Sequence, residues 1–242
     1  KECENIRADG CYMDLRYPFW HVRGLEINGC EMTVNCRAAL WYDENVRIAD
    51  SVLNGIKAFR ECKNVIMENV TAMSPEFGWK CENFSVGHCK IVSQYAFFES
   101  GGIEAEDLDF EGKYSFQYVR NAAFRNSTFR TKDAFWHSKN VTVADSVIEG
   151  EYLGWYSEGL TLIRCRIKGT QPLCYCKNLK LIDCTTEDCD LAFEYSDVEA
   201  DIKGGILSVK NPTSGTITAD GIGNIVITVD SVYPMKAVIK TR

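Results

Sequence analysis

The chain has 242 residues, 45% of them hydrophobic and 25% charged, the make-up of an ordinary globular protein with room for one large domain or two small ones. Its net charge of −7 argues against a nucleic-acid partner, whose phosphates need a basic face, and no apolar run approaches the ~20 residues of a membrane-spanning helix. With only five prolines it is not a linker-rich or low-complexity chain. It opens at Lys1 rather than Met and shows no secretory leader, which carries little weight if upstream residues have been trimmed. A cytoplasmic location is the expectation.

From Asn5 onward the chain repeats itself. Residues 121–139 read NAAFRNSTFRTKDAFWHSK and residues 140–158 read NVTVADSVIEGEYLGWYSE. Units of this kind begin at Asn5, Gly24, Asn45, Asn64, Asn83, Gly102, Asn121, Asn140, Gly159 and Asn178, mostly 19 residues apart. The Gly24 unit is longer, with two extra residues near Val34–Cys36. A repeat of this period is the mark of a solenoid. The first position of every unit is Asn or Gly, the two types that enter the left-handed backbone region at least cost, so a sharp turn is expected there. A buried stack of Asn side chains is the rival reading, into which Gly would not fit. The second and fourth positions are apolar in every unit (Val46 and Ile48, Val141 and Val143), the alternation of a strand with one buried face. The sixth position favours the turn formers Asp and Asn (Asp50, Asn126, Asp145). The seventh is small and the ninth apolar, giving a second strand. A Gly-marked bend and a third strand complete the unit.

Three short strands in 19 residues leave no room for a helix. A Leu-dominated repeat and a sixfold subrepeat are both missing. The fold class that fits is all-β, a single-stranded right-handed parallel β-helix of about ten coils, with right-handedness taken from the strong bias of parallel crossovers. Coils stacked ~4.8 Å apart make a rod of about 48 Å. Residues 1–200 are expected to form these coils. Past Ser196 the register breaks, and residues 201–242 are expected to form narrower terminal coils and a β cap of the same domain, covering the apolar end.

The phrases LRYPFWHVRGL, CRAALWYDE, KDAFWHSKNVTV, GEYLGWYSEGLT and GTQPLCYCKNLKLI resemble a bacterial family catalogued as domain of unknown function 3737, within the pectate-lyase-like β-helix class. The resemblance covers essentially residues 1–215. It implies the fold and brings no established activity.

The third strand is the most distinctive part of the unit. All five tryptophans stand at its sixteenth position: Trp20, Trp41, Trp79, Trp136 and Trp155. Strand parity groups that column with the small or apolar columns fourteen and eighteen, so the tryptophans are expected inside, with Arg60 and Gln117 as awkward exceptions. A local bulge would turn the tryptophans outward as a sugar-stacking platform. On the regular reading the outward face is column seventeen, running from His21 and Tyr42 through the charged Glu61, Lys80 and Glu99 to Tyr118, His137, Tyr156 and Tyr175. Column thirteen lies beside it. The candidate ligand-binding residues are Tyr95, Glu99, Tyr114, Tyr118, Asp133, His137, Tyr152 and Tyr156, a strip of rings, carboxylates and imidazole that suits a glycan. The plainer readings are a charge ladder through Glu61, Lys80 and Glu99, and the ordinary preference of Tyr for exposed strand sites.

No Asp pair of the kind that serves polysaccharide cleavage is evident. Glu61 and Glu99, two coils apart with Lys80 between them, are the nearest approach to a glycosidase pair, and Glu99 with His137 is another two-coil pair. The twelve cysteines fall mainly in columns seven and eighteen, where they alternate with Ser and Val. That points to small side chains in tight bends rather than to zinc or disulfides, and reduced thiols suit a cytoplasmic home. Neither a metal nor a cofactor is expected. Three functions remain open: a non-catalytic scaffold that binds a glycan or a protein, a polysaccharide lyase or hydrolase on the same face, and a structural rod that self-associates through its stripe or its ends.

Overall fold

The computed structural model describes residues 1–242, and every regular element in it is a β-strand. The chain winds into parallel coils. Thirteen strands make the first face: Glu4–Asp9, Arg23–Asn28, Glu44–Ala49, Lys63–Glu68, Glu82–Gly87, Gly101–Glu106, Arg120–Arg125, Lys139–Ala144, Thr161–Ile163, Leu179–Glu187, Asp197–Lys210, Ser214–Val226 and Val238–Thr241. Each lies in parallel register on the one before, as in Val65↔Phe84, Phe84↔Ile103 and Ile103↔Ala122. Like residues therefore stack on like. Val46, Val65, Phe84 and Ile103 of column two are all buried, and so are Ile48, Met67, Val86 and Ala105 of column four.

The turn reading of the first column holds, and the rival buried stack does not, because these asparagines are exposed. Its asparagines sit at φ between 50° and 58°, and its glycines are left-handed too. The Asn side chains also form a ladder on the exposed corner, with Asn64 Nδ2 donating to Asn45 Oδ1 at 3.0 Å and Asn83 Nδ2 to Asn64 Oδ1 at 3.1 Å. Gly102 lies so close to Asn83 that a Cβ would stand 2.7 Å from its Oδ1. Glycine thus breaks the side-chain ladder and keeps the turn.

Cysteine and serine are interchangeable in column seven for a visible reason. The side chain accepts the N–H of its column mate one coil back and donates to a carbonyl. Ser51 Oγ takes the Cys30 N–H at 3.0 Å and donates to Ala49 O at 2.6 Å, and Cys165 Sγ reaches Val143 O at 3.3 Å. All twelve cysteines are free thiols, and all but Cys3 and Cys11 are buried. Burial pushes the Cys89 thiol up to about 11 and the Cys174 thiol up to about 12, so these sulfurs are packing groups and not nucleophiles.

The third face departs from the expected strand. Regular pairing occurs only in the first three coils, where Phe19–Trp20, Ala38–Trp41 and Lys57–Arg60 form a short ladder. Beyond it the backbone alternates in and out of the left-handed region. In the Gly102 coil Tyr114, Phe116 and Tyr118 have φ of 53°, 60° and 57°, and in the Asn121 coil Asp133, Phe135 and His137 repeat the pattern. Hydrogen bonds then run alternately backward and forward: Phe116 N–H donates to Ala96 O at 2.7 Å, Tyr118 N–H to Trp136 O at 2.9 Å. Left-handed φ costs an L-residue ~1–2 kcal/mol. Phe97, Phe116 and Phe135 offset it by lying fully buried, worth ~1.5–3 kcal/mol each. They also stack, Phe116 on Phe135 at 4.9 Å and 15°.

The register past Ser196 breaks less than the sequence suggests. One additional residue enters the third face of the Asn178 coil, which moves Phe193 into the buried, left-handed position and puts Tyr195 beside Tyr175. Coils then continue at a shorter step, Val198↔Gly215, and Val238–Thr241 lies parallel on Ser214–Val226. Ile202, Ile206, Val209 and Ile217 keep the core continuous.

The aromatic third face as candidate functional site

The tryptophan column faces out, which corrects the parity expectation. Columns fourteen and fifteen both point inward: Ala96 with Phe97, Ala134 with Phe135 and Leu153 with Gly154 are all buried. Columns sixteen and seventeen both point outward, as at Trp136 with His137 and Trp155 with Tyr156, while Cys174 of column sixteen stays buried. The left-handed residues insert the reversals that strict alternation leaves out. Trp136 and Trp155 lie half-buried and stacked, 5.3 Å apart at 4°. Each indole N–H reaches a column-thirteen carbonyl of the next coil, Trp136 to Tyr152 O at 2.6 Å and Trp155 to Gln171 O at 2.8 Å. Arg60, expected to need a buried partner, stands in the same outward column with its guanidinium carbon 5.7 Å from the Trp41 ring centroid and 5.2 Å from that of Trp79.

The eight candidate residues fall into two rows on either side of this tryptophan column. In the outer row, Tyr118 stacks on His137 at 4.9 Å, His137 on Tyr156 at 5.0 Å, and Tyr156 on Tyr175 at 4.7 Å, all within 12° of parallel. Tyr118 and Tyr156 are each 46% exposed. Tyr175 extends the row although it was not among the sequence candidates; its place in column seventeen was the available signal. Burial and the nearby Glu194 push the Tyr175 phenol up to about 12, so the row is uncharged at neutral pH on that ring. Glu99, at the head of the row, is tied to Lys80 at 3.5 Å. Glu61 is matched to Arg60 at 3.8 Å. Of the charge ladder expected through Glu61, Lys80 and Glu99, the Lys80–Glu99 rung forms, while Glu61 turns to Arg60 of its own coil.

In the inner row Tyr95 stacks on Tyr114 at 5.3 Å, and Tyr152 packs edge-on against Trp155 at 5.2 Å. Asp133 stands between Tyr114 and Tyr152 and is recessed rather than exposed. Burial raises its carboxyl above the ordinary range, with the charges of Lys132 and Lys113 pulling the other way. Those two lysines were missed from sequence. Their ammonium groups hang over the flanking tyrosines, Lys113 Nζ 4.9 Å from the Tyr114 centroid and Lys132 Nζ 5.0 Å from that of Tyr152.

A ring inside a parallel stack has both faces covered by its neighbours. The outer row therefore offers edges, a file of phenol oxygens and imidazole nitrogens repeating once per coil, and not the open faces of a sugar-stacking platform. Its chemistry is directional hydrogen bonding along the rod.

A family model described as "Protein of unknown function (DUF3737)" matches residues 1–240. No curated protein matches the chain. Among solved structures, the surface protein and adhesin PfbA of Streptococcus pneumoniae aligns over 98% of this chain and 67% of its own, at 8% identity and a TM-score of 0.37. DFA-IIIase from Arthrobacter chlorophenolicus A6, solved as the C387A mutant with DFA-III, aligns over 88% and 58% at 10% identity and a TM-score of 0.28. The plasmid-mediated fluoroquinolone resistance protein QnrB1 aligns over 81% and 91% at 13% identity and a TM-score of 0.23.

Proposed function

We propose, for a chain that belongs to this family of proteins of unknown function, a role as a non-catalytic binding scaffold whose third face holds an extended glycan along the rod. The observation that carries the reading is the exposed stack of Tyr118, His137, Tyr156 and Tyr175. Four rings in near-perfect register present polar edges at a fixed repeat, and their stacking holds them in place before a ligand arrives. Little rotamer entropy is then lost on binding, which favours recognition of a flexible, hydroxyl-rich polymer. The ion pairs at Glu61 and Glu99 favour binding over turnover, because a carboxylate matched to a cation is poorly placed to give or take a proton.

The test is a glycan panel probed with wild type, Tyr156→Ala and His137→Ala, with product analysis alongside. Retention of a polysaccharide without release of reducing or unsaturated ends, weakened about tenfold or more by either substitution, is the expected result. Turnover lost on Glu99→Gln would replace the scaffold with an enzyme. Silence on the panel with concentration-dependent oligomers would replace it with a self-associating rod.

A further inference from the structure

The inner row has a rung without a ring. Column thirteen reads Tyr95, Tyr114, Asp133, Tyr152, and where two rings follow each other they stack at 5.3 Å. Tyr114 and Tyr152 are two coils apart, roughly 10 Å, which is twice the spacing at which aromatic rings pack. The fold shows elsewhere what such a gap accepts. In the tryptophan column the ring-free rung at Arg60 is filled by a planar group of the protein itself, sandwiched between Trp41 and Trp79. At Asp133 the side chain is too short to do this, and only the flexible Lys113 and Lys132 chains reach over the neighbouring rings.

What lies at the bottom of the gap is a carboxylate with no partner from the protein. Asp133 is 4% exposed, and its side chain makes no hydrogen bond and no ion pair. Lys132 is engaged by Glu151 at 2.7 Å, and Lys113 rests over Tyr114. A carboxylate and an ammonium that flank a gap without touching are the complement of a hydroxyl, which donates to the first and accepts from the second. An anionic ring is disfavoured by Asp133 at the floor, and a cationic ring by the two ammonium groups already there.

We propose that the Asp133 rung is a subsite for one neutral pyranose ring, which slides between Tyr114 and Tyr152 and completes the ladder. Its C–H faces take the place of the Lys113 and Lys132 ammonium groups on the two tyrosines, and its hydroxyls bridge Asp133 and Lys113. The inference rests on the glycan reading above and deepens it: this is where the third face offers ring faces instead of edges.

The test titrates neutral methyl pyranosides, at roughly millimolar concentration, against the full chain, following the Tyr114 and Tyr152 ring resonances. Asp133→Tyr supplies the missing ring. Tyr114 and Tyr152 hold the same column at φ of 53° and 57°, so the backbone there already accepts tyrosine. Asp133→Tyr is expected to fold, with a melting temperature at or above wild type, and to lose pyranoside binding. Asp133→Asn keeps the gap and is expected to bind about tenfold more weakly, having lost a charge-assisted hydrogen bond. Absence of pyranoside shifts in wild type, or equal binding by folded Asp133→Tyr, overturns the subsite. Polysaccharide binding that survives Asp133→Tyr and fails in Tyr156→Ala overturns the subsite alone. Pyranoside binding at the rung without polysaccharide retention overturns the scaffold reading alone.

Discussion

The first three coils and the Asn83 to Gly159 coils place the same residue types in the same columns and solve the third face differently. Around Trp20 and Trp41 the backbone is a regular paired strand, and the two indoles stack at 5.7 Å. Their Nε1 atoms are buried and have no acceptor. Around Trp136 and Trp155 the backbone alternates into the left-handed region, and both indole N–H groups are bonded to the next coil. A buried donor left unpaired costs ~1–3 kcal/mol, comparable with the ~1–2 kcal/mol that a left-handed L-residue costs. The two regions carry similar penalties in different places. Only the second gains a continuous Phe97–Phe116–Phe135 stack beneath its surface rings.

The largest effect expected from breaking that difference is Phe116→Ala. The ring is fully buried and stacked on both sides, so truncation is expected to destabilise the protein by ~3–5 kcal/mol in chemical denaturation. It removes the burial that compensates the strained backbone, while the first three coils contain no equivalent left-handed phenylalanine.

Next comes Asp43, in the strand-like region. It is fully buried in a column where other coils place Cys, Ser or Val. Oδ1 accepts the Val22 N–H at 2.7 Å, and Oδ2 has no partner. At the same column Ser100 Oγ accepts the Cys81 N–H and donates to Gly78 O at 2.6 Å, and a carboxylic acid can play both parts only when protonated. Burial accordingly pushes the Asp43 carboxyl up to about 6. The raised value means that its contribution to stability is fully present below the ordinary carboxylate range, near pH 3.8, and is lost as pH rises through about 6. From that difference, about 2 kcal/mol disappears between pH 4 and pH 7. Asp43→Ser is expected to remove this slope and to be the more stable protein at pH 7; denaturation midpoints across that range decide it, and an unchanged slope would refute the assignment.

A smaller, signed contrast separates the tryptophans. Trp136→Phe takes a donor from the Tyr152 carbonyl and is expected to cost about 1 kcal/mol beyond its lost packing, whereas Trp41→Phe removes a donor that had no acceptor and is expected to cost less. Equal costs in paired melts would mean that the hydrogen bond is not what distinguishes the regions. Lys80→Gln, which breaks the exposed pair with Glu99, is expected to change stability by no more than about 0.5 kcal/mol and to leave glycan retention intact.

The coil, its register and the identity of its inward first-face residues were legible in the chain, because parallel stacking forces each column to repeat its chemistry: Val46, Val65, Phe84 and Ile103 occupy one line of the core as they do one column of the sequence. The surface membership of Tyr118, His137 and Tyr156 was legible for the same reason. The direction of Trp136, the recess of Asp133 and the stacking of Tyr175 were not. Strand parity presumes a uniform extended backbone, and side-chain direction on the third face is set by left-handed φ at bulky residues such as Phe116, Phe135 and His137. Those conformations are intrinsically unfavourable, so local preference does not announce them. They persist because the coils above and below supply hydrogen bonds and buried ring contacts that exist only once the rod is assembled.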